Sequence, residues 1–254
     1  MAEKETQSQD PAKMPFTEHL EELRSRIIYC LIAIGVGFVA CYTVKERLFT
    51  WLTLPLLDAL PEDQGLIFTG LTEPFFAYLK VAFLGGVVLA LPVVSYQVWR
   101  FVGPGLYETE KKVLLPLVVL SCFFFLTGAA FGYFLVFPLG FSVLLTFASD
   151  SMQALPSVKE YLSLATKLLL AFGLVFEMPL FVSVFARFGL VSVETLKKNR
   201  KYALVAFLVL GAMLTPPDVI TQLLMALPMV FLWEVGIWGA MLFGKKKKPE
   251  PAAT

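Results

Sequence analysis

One histidine and three cysteines in 254 residues leave little from which to build a metal or nucleophilic centre. His19 stands alone, and Cys30, Cys41 and Cys122 lie in apolar stretches without C-x-x-C spacing. Neither a zinc site nor a disulfide framework is indicated, so the thiols are read as packing residues. The sequence has no G-x-x-x-x-G-K-[ST] loop to cradle phosphates, no H-E-x-x-H and no G-x-S-x-G. It also lacks a Ser/His or paired-Asp constellation, which argues against nucleotide hydrolysis, zinc catalysis and intramembrane hydrolysis on this chain. No cofactor is called for and no enzymatic activity is expected. Energy for any transport would then come from ion gradients or other subunits. Charge is scarce as well: 16% of residues are charged and the net charge is +1, so no global field points to nucleic acid.

What the chain has in abundance is apolar surface. At 57% hydrophobic residues and a mean hydropathy of +0.74, it exceeds what a soluble core of this size requires, and the solvent is read as mostly lipid. Ile27 to Val44 carries no charge and rises about 27 Å, enough for one span, and no A-x-A cleavage pattern marks it for removal. Phe75 to Val98 is a second span, with Lys80 near one end; Gly85 and Gly86 predict close helix contact, and Pro92 a kink. Val113 to Ala148 is uncharged, too long for one span and too short for two, and is read as one helix breaking at Pro138. Leu162 to Phe185 is the fourth; Tyr202 to Leu214 and Val219 to Phe243 are the fifth and sixth, joined by Thr215-Pro216-Pro217-Asp218. The fifth rises only about 20 Å, so the turn after it is expected below the outer surface, with the sixth returning to the inner interface near Glu234.

Lysine and arginine set the direction. With the N-terminus inside, Lys4, Lys13, Arg24, Arg26, Arg100, Lys111, Lys112, Arg187, Lys197, Lys198, Arg200, Lys201 and the Lys245 to Lys248 run are cytosolic, and only Lys45, Arg47 and Lys159 face outward. This gives three parts: residues 1-15 a disordered cytosolic tail, 16-244 a membrane domain, and 245-254 a basic cytosolic tail anchored near anionic lipid.

Few residues remain to carry chemistry. Phe16 to Arg26 reads as a short interfacial helix with an apolar face along Phe16, Leu20, Leu23 and Ile27 and an acidic face through Glu18 and Glu22, where Glu22 can pair with Arg26. That acidic face is either a solvated face that settles the helix on the membrane or a receptor for a basic ligand. A second acidic feature, the Gly103 to Lys112 loop with Glu110, lies on the same side. Were Glu22 and Glu110 to converge, two carboxylates would suit two guanidinium groups held bidentately. Glu177, at mid-bilayer, costs roughly 2.5 to 3.5 kcal/mol unless it faces protein or water. It is either a helix-gluing acid or a group used in proton movement or partner binding. Gln222, with Thr215 before it, is a further polar group at membrane depth.

Four runs occur in order: His19-Leu20-Glu21-Glu22-Leu23-Arg24-Ser25-Arg26, then Ser95 to Tyr107, then Phe176-Glu177-Met178-Pro179, then Leu214-Thr215-Pro216-Pro217-Asp218. Together they closely resemble the TatC family, the large subunit of the twin-arginine protein translocase, over almost the whole chain from Phe16 to Trp238. The resemblance implies an all-α integral membrane fold. Its six transmembrane helices form a curved, glove-like arrangement with short fifth and sixth helices and an outer cap built partly from the first outer loop. It implies a receptor in the bacterial inner membrane that binds twin-arginine signal peptides of folded precursors. Such a receptor works in multiple copies with TatA and TatB subunits under the protonmotive force. By motif, Glu22 and Glu110 match the positions that bind the arginine pair, with Phe101, Gly103 and Leu106 in the same recognition loop. Thr215 and Gln222 fall where partner helices pack, and Glu177 is grouped with them. Arg24, within the first motif, and Pro55, Pro92 and Asp218 match other functionally sensitive positions.

Two residues depart from the family pattern, Glu21 as an added carboxylate and Lys167 as an added cation in the fourth helix. Lys167 lies about 15 Å along the helix from Glu177 and is expected to snorkel outward or line the cap. The competing reading is a proton-coupled secondary transporter, suggested by Glu177 and the half-length helices. It predicts internal repeats, and residues 27 to 112 show no convincing similarity to 160 to 243.

Overall fold

The computed structural model describes residues 16–61, 64–102, 111–146, 155–214 and 219–244. Its elements are α1 (Phe16–Tyr42), α2 (Lys45–Leu57), α3 (Glu73–Val102), α4 (Lys111–Phe131), a π-helical turn (Gly132–Val136), α5 (Phe137–Leu145), α6 (Val158–Phe176), α7 (Met178–Arg187), α8 (Val193–Lys198), α9 (Arg200–Leu214) and α10 (Val219–Phe243). The two predicted tails lie outside the described residues. Among the described residues, five stretches are long and apolar enough to cross a membrane: His19–Tyr42, Glu73–Val102, Leu114–Leu145, Val158–Arg187 and Val219–Phe243. With α9, whose 15 residues rise only about 22 Å, they make the six expected transmembrane segments.

Three local expectations are corrected. The interfacial helix and the first span are one continuous α1 of 27 residues. Nothing between Phe16 and Gly35 is a helix breaker, so the polar-to-apolar change at Ile27 alters the surroundings of the helix and not its backbone. Leu114–Leu145 does not break at Pro138. Pro138 offers no N–H to the preceding turn, and the helix answers by widening: Phe137 donates its N–H to the Gly132 carbonyl, five residues back, and α5 follows directly. The fourth span is interrupted at Glu177, between α6 and α7, because Pro179 again removes a donor, the one that would reach back to Val175; α7 then starts with the Glu177 carbonyl accepting from Leu180 (3.0 Å) and Phe181 (3.1 Å). By contrast, α3 runs through Pro92 without a break.

Lipid does not drive helices together as water does, so close backbone approach and internal hydrogen bonds must hold the spans. Gly37 and Gly86 mark where α1 crosses α3. A Cβ on Gly86 would sit 2.6 Å from the Phe38 nitrogen, and one on Gly37 2.6 Å from the Gly86 carbonyl oxygen. The central packing is aromatic, with Phe137 and Phe172 almost wholly buried and the rings of Tyr133, Phe137, Phe141 and Tyr161 in succession.

The end of the fold opposite the N-terminus of α1, here called the outer end, is closed by α2 and by a parallel bridge. In that bridge Ile67 donates to the Pro156 carbonyl and accepts from Val158. Pro55 accounts for how α2 is fastened. Lacking an N–H, it leaves the Trp51 carbonyl without its helical donor, and the Tyr133 hydroxyl donates to that carbonyl at 2.5 Å; Tyr161 donates likewise to the Leu52 carbonyl. We expect Tyr133→Phe to cost about 1 kcal/mol in the wild-type chain. It should cost close to nothing in a Pro55→Ala background, where the restored N–H satisfies Trp51. Melting of the four proteins in detergent measures the coupling, and equal costs in both backgrounds would refute it.

Candidate functional site

At the inner end, α1 and α3 hold a charged and aromatic cradle. Glu22 Oε1 accepts two bonds from the Arg26 guanidinium, from Nε at 3.0 Å and from Nη2, and Arg26 Nη1 donates to Gln97 Oε1 at 3.1 Å across to α3. His19 stacks face to face on Phe101, with centroids 4.4 Å apart and planes 13° apart, and its Nδ1 lies 3.8 Å from Glu22 Oε2. The antiparallel register that places Gly37 against Gly86 also places Arg26 near Gln97, each eleven residues farther along its helix. Glu22 is therefore fixed in orientation yet stays 29% exposed, and among the described residues its Oε2 is approached only by the more distant imidazole. Arg24 and Glu21 are exposed.

Two of the five residues assigned to recognition, Glu22 and Phe101, thus share one site through His19. Glu110, Gly103 and Leu106 lie outside the described residues. The sequence reading did not single out His19 or Gln97 as site residues. The available signal was polarity in place: Gln97 is an amide in the last turns of an otherwise apolar helix, one turn before Arg100.

A second polar site lies within the membrane-spanning part. The Glu177 side chain is 7% exposed, and its Oε2 accepts from Ser121 Oγ at 3.0 Å. Ser121 in turn accepts from Trp99 Nε1 at 2.6 Å, and the Trp99 indole stacks on Phe181 at 4.9 Å. The expectation that Glu177 faces protein holds. Its carboxylate is turned into its own chain, where it joins α3, α4 and the α6–α7 joint and not an open helix face.

The third polar site is the α9–α10 hairpin. Gln222 Nε2 donates to the Leu208 carbonyl at 3.0 Å, and Gly211 permits the approach, since a Cβ there would sit 3.2 Å from the Gln222 carbonyl. Arg200, the first residue of α9, pairs with Glu234 at 2.5 Å. The part of α10 lying beside α9 is therefore as short as α9, as the lengths predicted, although α10 itself continues to Phe243. Thr215 and Asp218 lie outside the described residues.

These features define a multispanning helical membrane protein with a charged and aromatic cradle at one face, a buried polar bridge inside the bundle and a helical hairpin whose first arm, α9, is too short to span a bilayer on its own. The family profile of Sec-independent protein translocase protein (TatC) matches residues 18–228. Among curated relatives, the TatC proteins of Desulforapulum autotrophicum and Escherichia coli K12 are 59% and 38% identical. The first alignment covers 94% of this chain and 89% of the relative, the second 93% and 92%. A crystal structure described as the twin arginine translocase receptor TatC superposes with a TM-score of 0.79 at 40% identity, over 88% of this chain and 98% of that one. The chain belongs to the TatC family of Sec-independent protein translocase proteins and has its six-helix, glove-like membrane fold. The secondary-transporter alternative finds no support among these relatives.

Proposed function

We propose that the chain is the receptor subunit that reads twin-arginine signal peptides in the bacterial inner membrane, with both termini in the cytosol. Glu22 and Glu110 take the arginine pair, and Phe101, Gly103 and Leu106 frame it. The observation that carries this reading is the state of Glu22: a partly exposed carboxylate fixed by Arg26, with no hydrogen-bond donor on Oε2 among the described residues, beside a His19–Phe101 stack. A planar guanidinium can approach Oε2 edge-on and lie against the stacked rings, whereas a lysine ammonium offers neither the fork nor the plane. The solved relative is itself described as a translocase receptor.

The apolar segment of the signal would then enter the apolar cavity of about 530 Å³ walled by residues such as Leu48, Val81, Leu84, Val88, Phe125 and Leu126. Thr215 and Gln222 mark the face for TatA and TatB helices, and transport draws on the protonmotive force in a complex of several copies. Glu177, with 7% exposure, serves that assembly by fixing α3, α4 and α7. Catalysis has no place in this reading, in line with relatives that are named as translocase components.

The test is binding of the detergent-solubilised chain to a signal peptide carrying Arg-Arg and to its Lys-Lys counterpart. The wild type should prefer Arg-Arg, and Glu22→Ala and Glu110→Ala should each weaken that peptide about tenfold or more. Equal binding of both peptides, indifferent to both carboxylates, would return the acidic face to a membrane-settling role.

A further inference from the structure

A cavity of about 540 Å³ opens beside α6 at the outer end, bounded by α5, α6 and the last residues of α9. Glu160, Ser163 and Lys167 line it from α6. Both charged side chains are exposed within it, and neither meets an opposite charge among the described residues. A separation of seven residues on a helix returns to nearly the same face, about 10.5 Å farther along the axis. Glu160 is in the first turn of α6, whereas Lys167 lies about 14 Å from the start of that helix, where a cation needs an anionic partner or a route to the interface.

We propose that this cavity binds a zwitterionic aminophospholipid, its phosphate on Lys167 and its primary ammonium on Glu160. The order of the charges carries the argument. In such a lipid the ammonium is outermost, the phosphate lies one two-carbon bridge deeper and the acyl chains deeper still, and the protein presents the acid nearer the outer end and the base two turns deeper, along an apolar wall. Two charge-assisted hydrogen bonds of about 2.8 Å with the headgroup between them are of the same order as the roughly 10.5 Å of helix rise between the two positions. The Ser163 hydroxyl lies between the two and can donate to the phosphate.

Beside the two charges, Leu56, Phe141, Leu144, Leu164 and Met213 make the rest of the wall apolar, a surface against which acyl chains can lie. The short α9 brings the headgroup to this level: it ends at Leu214 beside the cavity, so the bilayer next to it thins and outer-leaflet headgroups sit deeper than elsewhere. Other occupants fit less well. Glu160 repels a bare anion, an anionic lipid without an amine leaves Glu160 unpaired, and a quaternary ammonium cannot donate a hydrogen bond to it.

Native mass spectrometry of the full chain, titrated with phosphatidylethanolamine, phosphatidylglycerol or phosphatidylcholine of the same acyl chains, tests the assignment. The wild type should retain the ethanolamine lipid about tenfold better than the other two. Lys167→Met should weaken all three, and Glu160→Gln should abolish the preference for ethanolamine while leaving the glycerol lipid bound at least as well. Both positions are exposed, so folding should survive. The Glu160→Lys, Lys167→Glu double variant adds a second check, because it keeps the net charge and should still lose the preference. Equal retention of the three lipids by the wild type, or variants that behave like it, would overturn the proposal. So would displacement of the lipid by soluble phosphoethanolamine at matching concentration, which would assign the site to a free phosphomonoester.

Discussion

Gly86→Leu is expected to release α1 from the rest of the molecule and, with it, the recognition cradle. The crossing with Gly37 is a backbone contact: even one carbon at position 86 would lie 2.6 Å from the Phe38 nitrogen and 2.8 Å from its Cα. A leucine therefore cannot be absorbed by a rotamer change; the helices must separate. Separation at 86 propagates, because the Arg26–Gln97 bond lies only eleven residues away on both helices, about 16 Å, and α1 packs chiefly on α3. Overpacking of this kind costs about 3 kcal/mol. Here the loss should appear both as a lower melting point in detergent and as loss of Arg-Arg peptide binding, although no residue of the cradle has changed. Gly140→Ala is the control. Nothing lies within 4 Å of its Cβ position, and an alanine inside a helix should be neutral or stabilise by up to about 1 kcal/mol. If Gly86→Leu kept both the melting point and peptide binding, the crossing would not be what holds α1.

Much of this was legible before the fold was known, because the bilayer punishes exceptions. A Gly-Gly pair inside an apolar helix has few uses other than close approach, and it is where α1 meets α3. A carboxylate at the depth of Glu177 had to face protein or water, and it faces protein. The length of α9 already implied that α10 would draw level with the start of α9 near Glu234, and Glu234 pairs with Arg200. What stayed hidden were neighbours. Ser121 is a lone hydroxyl in an apolar run and Trp99 an aromatic near a helix end; neither type nor spacing says that both reach Glu177, because that follows from which helices pack together. Proline was misread for a different reason. The sequence fixes that Pro138 and Pro179 lack a donor, but whether the helix breaks, bends or widens depends on the partners of the freed carbonyls. The same ambiguity hid the role of Pro55, whose freed carbonyl is claimed by a tyrosine 82 residues away in the sequence.

The buried bridge makes the other large prediction, and it singles out the residue that appears least important. Ser121 donates to Glu177 and accepts from Trp99, so removing its hydroxyl strands two polar groups at once in a low-dielectric interior. A single helix-to-helix hydrogen bond in a membrane protein is worth roughly 0.6 kcal/mol on average, since the unfolded chain also finds partners there. Ser121→Ala exceeds that average because neither the indole N–H nor the carboxyl has another described partner to turn to, and about 2 to 3 kcal/mol is expected. Glu177→Gln keeps an acceptor for Ser121 and should cost less, about 1 kcal/mol. Trp99→Phe removes one donor and keeps a ring to stack on Phe181, so it should cost about as little. The cycle carries the decisive sign: Trp99→Phe should partly rescue Ser121→Ala, because it deletes the donor that Ser121→Ala left unpaired. Unfolding midpoints of the single and double variants in detergent measure this directly. Costs that simply add would mean that the three side chains are neighbours without being a bridge, and Glu177 would then be free to serve a partner helix after all.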